Sequence, residues 1–150
     1  MKTGDGIRKI IDRALPVIGI GLMVFYEVCD TSCSSLQGTF WGVDLRWIGI
    51  LYMAVLLVMA LPPVSRYGSP VRHLRTMMLS GALGGEILLV RFQIVHQTYC
   101  LFCLVFGLCI VALFVAHFPK MNKWLALAAL LAGLAAFALF FKGTVLSLYT

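Results

Sequence analysis

Four of the chain's five cysteines lie at the ends of long apolar runs. Cys29 and Cys33 follow the first run, and Cys100 and Cys103 lie between the third and the fourth. Cys-X-X-Cys is a spacing suited to redox chemistry or metal binding. On a helix, residues three apart share a face, so the sulfurs of Cys100 and Cys103 can reach one another. A helix that starts there adds partial positive charge, which favours thiolate at Cys100. Thiolate is the form that attacks a disulfide or an electrophilic quinone. Cys29-Asp30-Thr31-Ser32-Cys33 has a wider spacing, which permits a bond within the segment or from one of its cysteines to Cys100. Two dithiols that meet can pass electrons between a thiol outside the membrane and an acceptor dissolved in lipid. Cys109, two turns further on, reads as a small buried apolar residue with no role in the chemistry.

The elements that position these residues follow from composition. The chain is 61% hydrophobic and 12% charged, against roughly 45–50% and 25% in a soluble domain. So much apolar surface in 150 residues has no core large enough to hide it, and its solvent is lipid. A membrane span needs about 20 apolar residues. Five runs approach that length, at about 10–28, 43–61, 77–95, 100–118 and 124–141. The expected fold is an all-α integral membrane protein, a four-helix transmembrane bundle plus a fifth transmembrane helix, in one domain over 1–150. Pro62-Pro63 and Pro119 stop the second and fourth runs, and Pro16 kinks the first. The first run reads as a retained signal anchor, entered through a short interfacial helix whose Ile7, Ile10, Ile11 and Ala14 share a face. Gly81 and Gly85 form a GxxxG pair, expected to bring a neighbouring helix close within the molecule. The Leu/Ala-rich fifth run is expected to pack on the bundle, face lipid and carry no chemistry.

The net charge of +6 comes from basic residues gathered between the apolar runs. They read as topology signals and contacts to anionic headgroups, which argues against nucleic acid as a partner. Lys2, Arg8, Lys9 and Arg13, the 62–76 loop with Arg66, Arg72 and Arg75, and the 119–123 loop with Lys120 and Lys123 belong in the cytoplasm. The N-terminus is then cytoplasmic, and residues 142–150 and both cysteine pairs are extracytoplasmic, where disulfides persist. The segment from Ser34 to Val43 is expected to lie across the membrane surface as a cap, with Leu36, Phe40 and Trp41 as its apolar members.

A cysteine pair after the first helix, a Cys-Ser cap, Gly49-Ile50-Leu51-Tyr52 in the second helix and Cys-X-X-Cys opening the fourth follow one another in this chain. In that order the chain resembles the vitamin K epoxide reductase family, especially its bacterial members. The resemblance covers about Leu15 to Phe118 in architecture and the cysteines with short flanks at residue level. It implies a four-helix bundle around a quinone, often with a fifth helix, in the bacterial inner membrane. It also implies a quinone-dependent thiol-disulfide oxidoreductase. Cys29 and Cys33 would take electrons from a thioredoxin-like partner, Cys100 would exchange with them, and Cys103 would face the quinone, a ubiquinone or menaquinone. Many bacterial members carry a fused thioredoxin domain after the fifth helix; here the expected partner is a separate extracytoplasmic thioredoxin-fold thiol oxidase. The family's loop cysteines are usually further apart than Cys29 and Cys33. Where it commonly has Asn before the second helix and Tyr one turn past Cys-X-X-Cys, this chain has Asp44 or Leu45, and Phe106. Ser35, Gln93 and His96 are the candidates to replace that polar grip.

Glu86 lies mid-span, where an ionised group is costly, and is a candidate for proton uptake or a structural hydrogen bond. Arg91 is expected to snorkel outward. His73 and His117 read as solvated, and Trp41, Trp47, Tyr99 and Trp124 as interfacial anchors. The alternative function is a small membrane heavy-metal carrier of the mercuric-ion type, since soft thiolates bind soft metals. A carrier needs a second thiol pair on the cytoplasmic side, and the sequence places none there. No metal ligands are assigned.

Overall fold

The computed structural model describes residues 3–28, 36–65 and 68–145. Five helices longer than ten residues dominate: α1 (Thr3–Val28), α2 (Leu45–Met59), α4 (Ser69–Val95), α5 (Leu101–His117) and α6 (Lys123–Phe140). A single turn, α3 (Pro62–Ser65), and a 3-10 turn at Phe118–Lys120 link them. Among the described residues three segments are long and apolar enough to cross a membrane: α4, α5 with its 3-10 turn, and α6. At 15 residues α2 is about 22 Å long, short of the ~30 Å hydrocarbon layer.

Several boundaries differ from those read in the sequence. α1 is continuous from Thr3, so the expected interfacial entry helix is its first turns. α2 occupies Leu45–Met59, inside the expected 43–61. Arg72 and Arg75, expected in a loop, lie on α4, which begins eight residues before the apolar run at Ser69. Pro70 suits that first turn, because an N–H there has no helical acceptor.

The expectation of an all-helical chain also needs correction. β1 (Leu36–Phe40), β2 (Val43–Asp44) and β3 (Phe141–Val145) form an antiparallel sheet in the order β2-β1-β3. Trp41 and Gly42 close the β1–β2 hairpin, both at positive φ (55° and 81°), as a two-residue turn matching strand twist requires. Trp41 is a costly residue for that conformation. Its indole stacks on Phe140, with centroids 4.9 Å apart, and the Trp41 backbone N–H donates to the Phe140 carbonyl at 3.4 Å. β3 pairs with β1 from Leu36↔Val145 to Phe40↔Phe141, binding the end of α6 to the segment before α2.

The core lies between α1, α2, α4 and α5, around Met53, Leu56, Leu79, Ile110 and Leu113, with Cys109 buried among them. α4 and α6 meet through small residues. A methyl added at Gly133 would fall on the Gly81 carbonyl, and one at Gly84 on the backbone of Leu130 and Leu134. Gly81 and Gly85 thus serve packing within the molecule, against α6.

Candidate functional site

Position 100 is fixed by the way α4 ends. Gln97 takes the left-handed conformation (φ 51°), the Thr98 N–H donates to the Gln93 carbonyl at 3.1 Å, and the Gln97 N–H donates to the Ile94 carbonyl at 3.2 Å. That is a Schellman termination. Three residues later Cys100 is the N-cap of α5, with extended backbone and its carbonyl accepting the Leu104 N–H at 3.1 Å. Gln93 holds the turn a second time: its Oε1 accepts the Cys100 N–H at 3.1 Å. Both residues are buried, Gln93 at 2% exposure and Cys100 at 1%. Cys103 stands in the first turn of α5, one turn from Cys100, where the N-terminal end of the helix favours negative charge.

Behind Cys103 a cavity of about 100 Å³ lies between α1, α2, α4, α5 and α6. Its wall is apolar except for Cys103, Tyr52 and Glu86. The Tyr52 hydroxyl donates to the Met78 carbonyl at 3.2 Å. The Glu86 carboxylate lies over Gly107, one turn past Cys103; a methyl there would stand 2.7 Å from Oε2. Phe106, Leu45 and Phe137 add flat or branched apolar faces. An apolar cavity on the order of 150 Å³ takes up benzene, and this one is about two-thirds of that volume. It is below the roughly 300–1,000 Å³ of a site that encloses a whole drug-sized ligand.

Of the residues singled out in the sequence, Cys103 and Phe106 line this cavity, and Cys100 stands one turn away. Gln93 and His96 do not line it. Gln93 has its side-chain oxygen on the Cys100 amide. The exposed His96 caps α4, with its ring on Phe92 (centroids 4.1 Å apart) and Nδ1 3.0 Å from the Phe92 carbonyl. Cys29, Cys33 and Ser35 lie outside the described residues. The chain leading to Cys29 is nevertheless located: Phe25 packs on Phe102, the neighbour of Cys103, with centroids 6.1 Å apart. Asp44 caps α2 by accepting the Arg46 N–H at 3.0 Å, and pairs with the Arg46 guanidinium at 2.8 Å.

Tyr52 and Phe137 are cavity residues to which the sequence reading gave no role. Gly49-Ile-Leu-Tyr52 carried a signal, since residues three apart share a face and both line the cavity. Phe137 stands on the face of α6 that bears Gly133 and Leu130, in the helix expected to carry no chemistry.

The opposite end of the bundle is polar. Asp12 is 3.3 Å from Arg75 Nη1 and 3.2 Å from His117 Nε2, and Arg8 donates to the Ala116 carbonyl at 2.6 Å. His117, expected to be solvated, has a side chain only 12% exposed, because the Asp12 carboxylate holds it inside. Among the described residues no three His, Cys, Asp or Glu side chains gather as a metal site. Comparison with protein-family models, curated proteins and solved structures finds no match to this chain.

Proposed function

We propose that the chain is a multi-pass membrane thiol oxidase, akin to the vitamin K epoxide reductase family it resembles. It moves electrons from an extracytoplasmic thioredoxin-fold partner, through Cys29–Cys33 and then Cys100–Cys103, to a membrane quinone. In this reading α1, α2, α4 and α5 are the four-helix transmembrane bundle and α6 the fifth span. The N-terminus is cytoplasmic and both cysteine pairs are extracytoplasmic, in a bacterial inner membrane.

The observation that carries the reading is the placement of Cys103. It lines a largely apolar cavity whose wall also includes Tyr52 and Glu86. On its other side, the Phe25–Phe102 contact brings the approach to the loop cysteines up to the same turn. The lining suits a quinone in chemistry, with apolar faces for the ring and Tyr52 and Glu86 as the polar groups that would meet its oxygens, and the helices would have to part to admit it. A bound quinone supplies a two-electron, two-proton acceptor. Cys103 and Cys100 give up two electrons and two protons as one S–S bond forms. The start of α5 stabilises the thiolate that begins this step. Glu86, in the same wall, would serve as the group that gives or takes a proton there. The new disulfide then passes to the loop pair by thiol exchange.

A soft-metal carrier is less well supported. Its cargo would have to leave through the end lined by Arg8, Arg72 and Arg75, where positive charge repels a cation. The test is anaerobic. Dithiol-reduced protein is mixed with ubiquinone and menaquinone analogues while quinone absorbance and free thiols are followed together. The expected result is one quinone consumed per two thiols, abolished by Cys103→Ala. Unchanged quinone in the presence of reduced, folded protein overturns the reading.

A further inference from the structure

Six of the chain's twelve Lys and Arg residues line a single cavity of about 440 Å³, at the end opposite the cysteines. Arg8, Lys9 and Arg13 come from α1, Arg72 and Arg75 from the start of α4, and Lys120 from the turn after α5. Among the described residues of the wall Asp12 is the one carboxylate, and it is already engaged by Arg75 and His117. Topology alone needs basic residues near the ends of spans. It does not need them drawn from three elements around one hollow, where like charges repel. Donors are also left over: the Nε atoms of Arg8 and Arg75 are buried with no hydrogen-bond partner among the described residues. Each guanidinium is a planar fork suited to phosphate oxygens.

We infer that this cavity binds a phosphate-bearing group, and that the group is the headgroup of an anionic phospholipid. The volume falls within the range of small-ligand sites, roughly 300–1,000 Å³, and suits a headgroup with two phosphates. Lipid is favoured over a soluble phosphate by the surroundings. Met59, Ala60 and Val71 make one side of the wall apolar. Ile7 and Ile10, beside Arg8 and Lys9 on α1, are 56% and 67% exposed, a surface for acyl chains. Basic hollows between membrane helices are a known way of holding such headgroups. The inference does not depend on the thiol chemistry.

The experiment is native mass spectrometry of the full chain in detergent. Equal amounts of cardiolipin, phosphatidylglycerol or phosphatidylcholine are added, or pyrophosphate as the soluble phosphate. Cardiolipin is expected to be retained most strongly, phosphatidylglycerol less and phosphatidylcholine least. The altered protein combines Lys9→Gln, Arg13→Gln and Arg72→Gln, three exposed side chains. With about a fivefold factor per charge, cardiolipin retention should fall on the order of a hundredfold. Arg13→Lys with Arg72→Lys should restore most of the binding lost on changing those two positions to Gln. In the unaltered protein, raising NaCl should displace the lipid. Equal retention of phosphatidylcholine and cardiolipin, or retention indifferent both to salt and to the three substitutions, overturns the site. Binding of pyrophosphate with no preference for cardiolipin overturns the lipid as its source.

Discussion

Gln93→Met removes one acceptor and little else. The Gln93 carbonyl keeps its bond to Thr98, and Met conserves volume, so the turn loses only the Oε1 bond to the Cys100 N–H. That donor sits on a residue 1% exposed. A buried donor left unsatisfied costs roughly 1–3 kcal/mol. Local opening of the turn relieves that cost, so the open population should rise about 5- to 150-fold. The assay is timed maleimide labelling of fully reduced protein, read cysteine by cysteine from peptide masses. A reagent reaches the Cys100 sulfur only when the turn opens, so its labelling should accelerate at least about fivefold. Cys109, buried in the core at 6% exposure, is the internal reference and should not change. Unchanged Cys100 labelling would refute the claim that Gln93 holds the turn. Parallel acceleration at Cys100 and Cys109 would refute it differently, because the loss would then be global.

Two further substitutions test the frame and the proton path. Gly133→Val drives a side chain onto the Gly81 carbonyl where α4 and α6 cross. It should cost about 1–3 kcal/mol or more, seen as a lower melting temperature in detergent. Gly21→Ala, with nothing within 4 Å of the new methyl, should not lower it. Glu86→Gln keeps the size of the side chain and removes its exchangeable acid proton, so quinone reduction should slow by roughly a hundredfold or more with the melt unchanged. Undiminished turnover would take Glu86 out of the proton path.

The helical class and the order of the long apolar helices were legible because apolar runs bounded by Pro and by basic residues are local signals. The start of α4 was not, because Ser69 to Thr76 is polar and helical at once. Arg72 and Arg75 look like loop charges until their partners across the bundle are known. The sheet was hidden for a different reason. β1 and β3 are about a hundred residues apart in the chain, each only 5 residues long, and neither alternates strongly enough to declare its pairing. His117 reads as solvated in isolation, and only its contact with Asp12, on a helix at the other end of the chain, explains its burial. Cys103 and Phe106, singled out from spacing and resemblance, both line the cavity between the helices. Gln93 was singled out for its polarity, but its role came out as structural: it sets the Cys100 turn.

Connectivity explains why thiols and charges occupy opposite ends. Between β1 and β3 the chain makes four runs, α2, α4, α5 and α6. Strands that pair at the two limits of that path must lie at the same end of the bundle, and an even number of runs brings the chain back there. The α4–α5 turn, with Cys100, comes after two of those runs and is therefore at the sheet end; the contact between Phe92 and Phe141, with centroids 5.4 Å apart, agrees. The start of α4 and the end of α5 come after odd numbers of runs. They meet the first half of α1 at the other end, through Asp12, Arg75 and His117. Turning the molecule over in a membrane would exchange both sets together. Sidedness is therefore one binary choice for the whole chain. The side on which Arg13 is reached from water fixes the side on which Cys100 lies, and under the proposed orientation, with six basic residues around one hollow on the cytoplasmic side, Cys100 is extracytoplasmic.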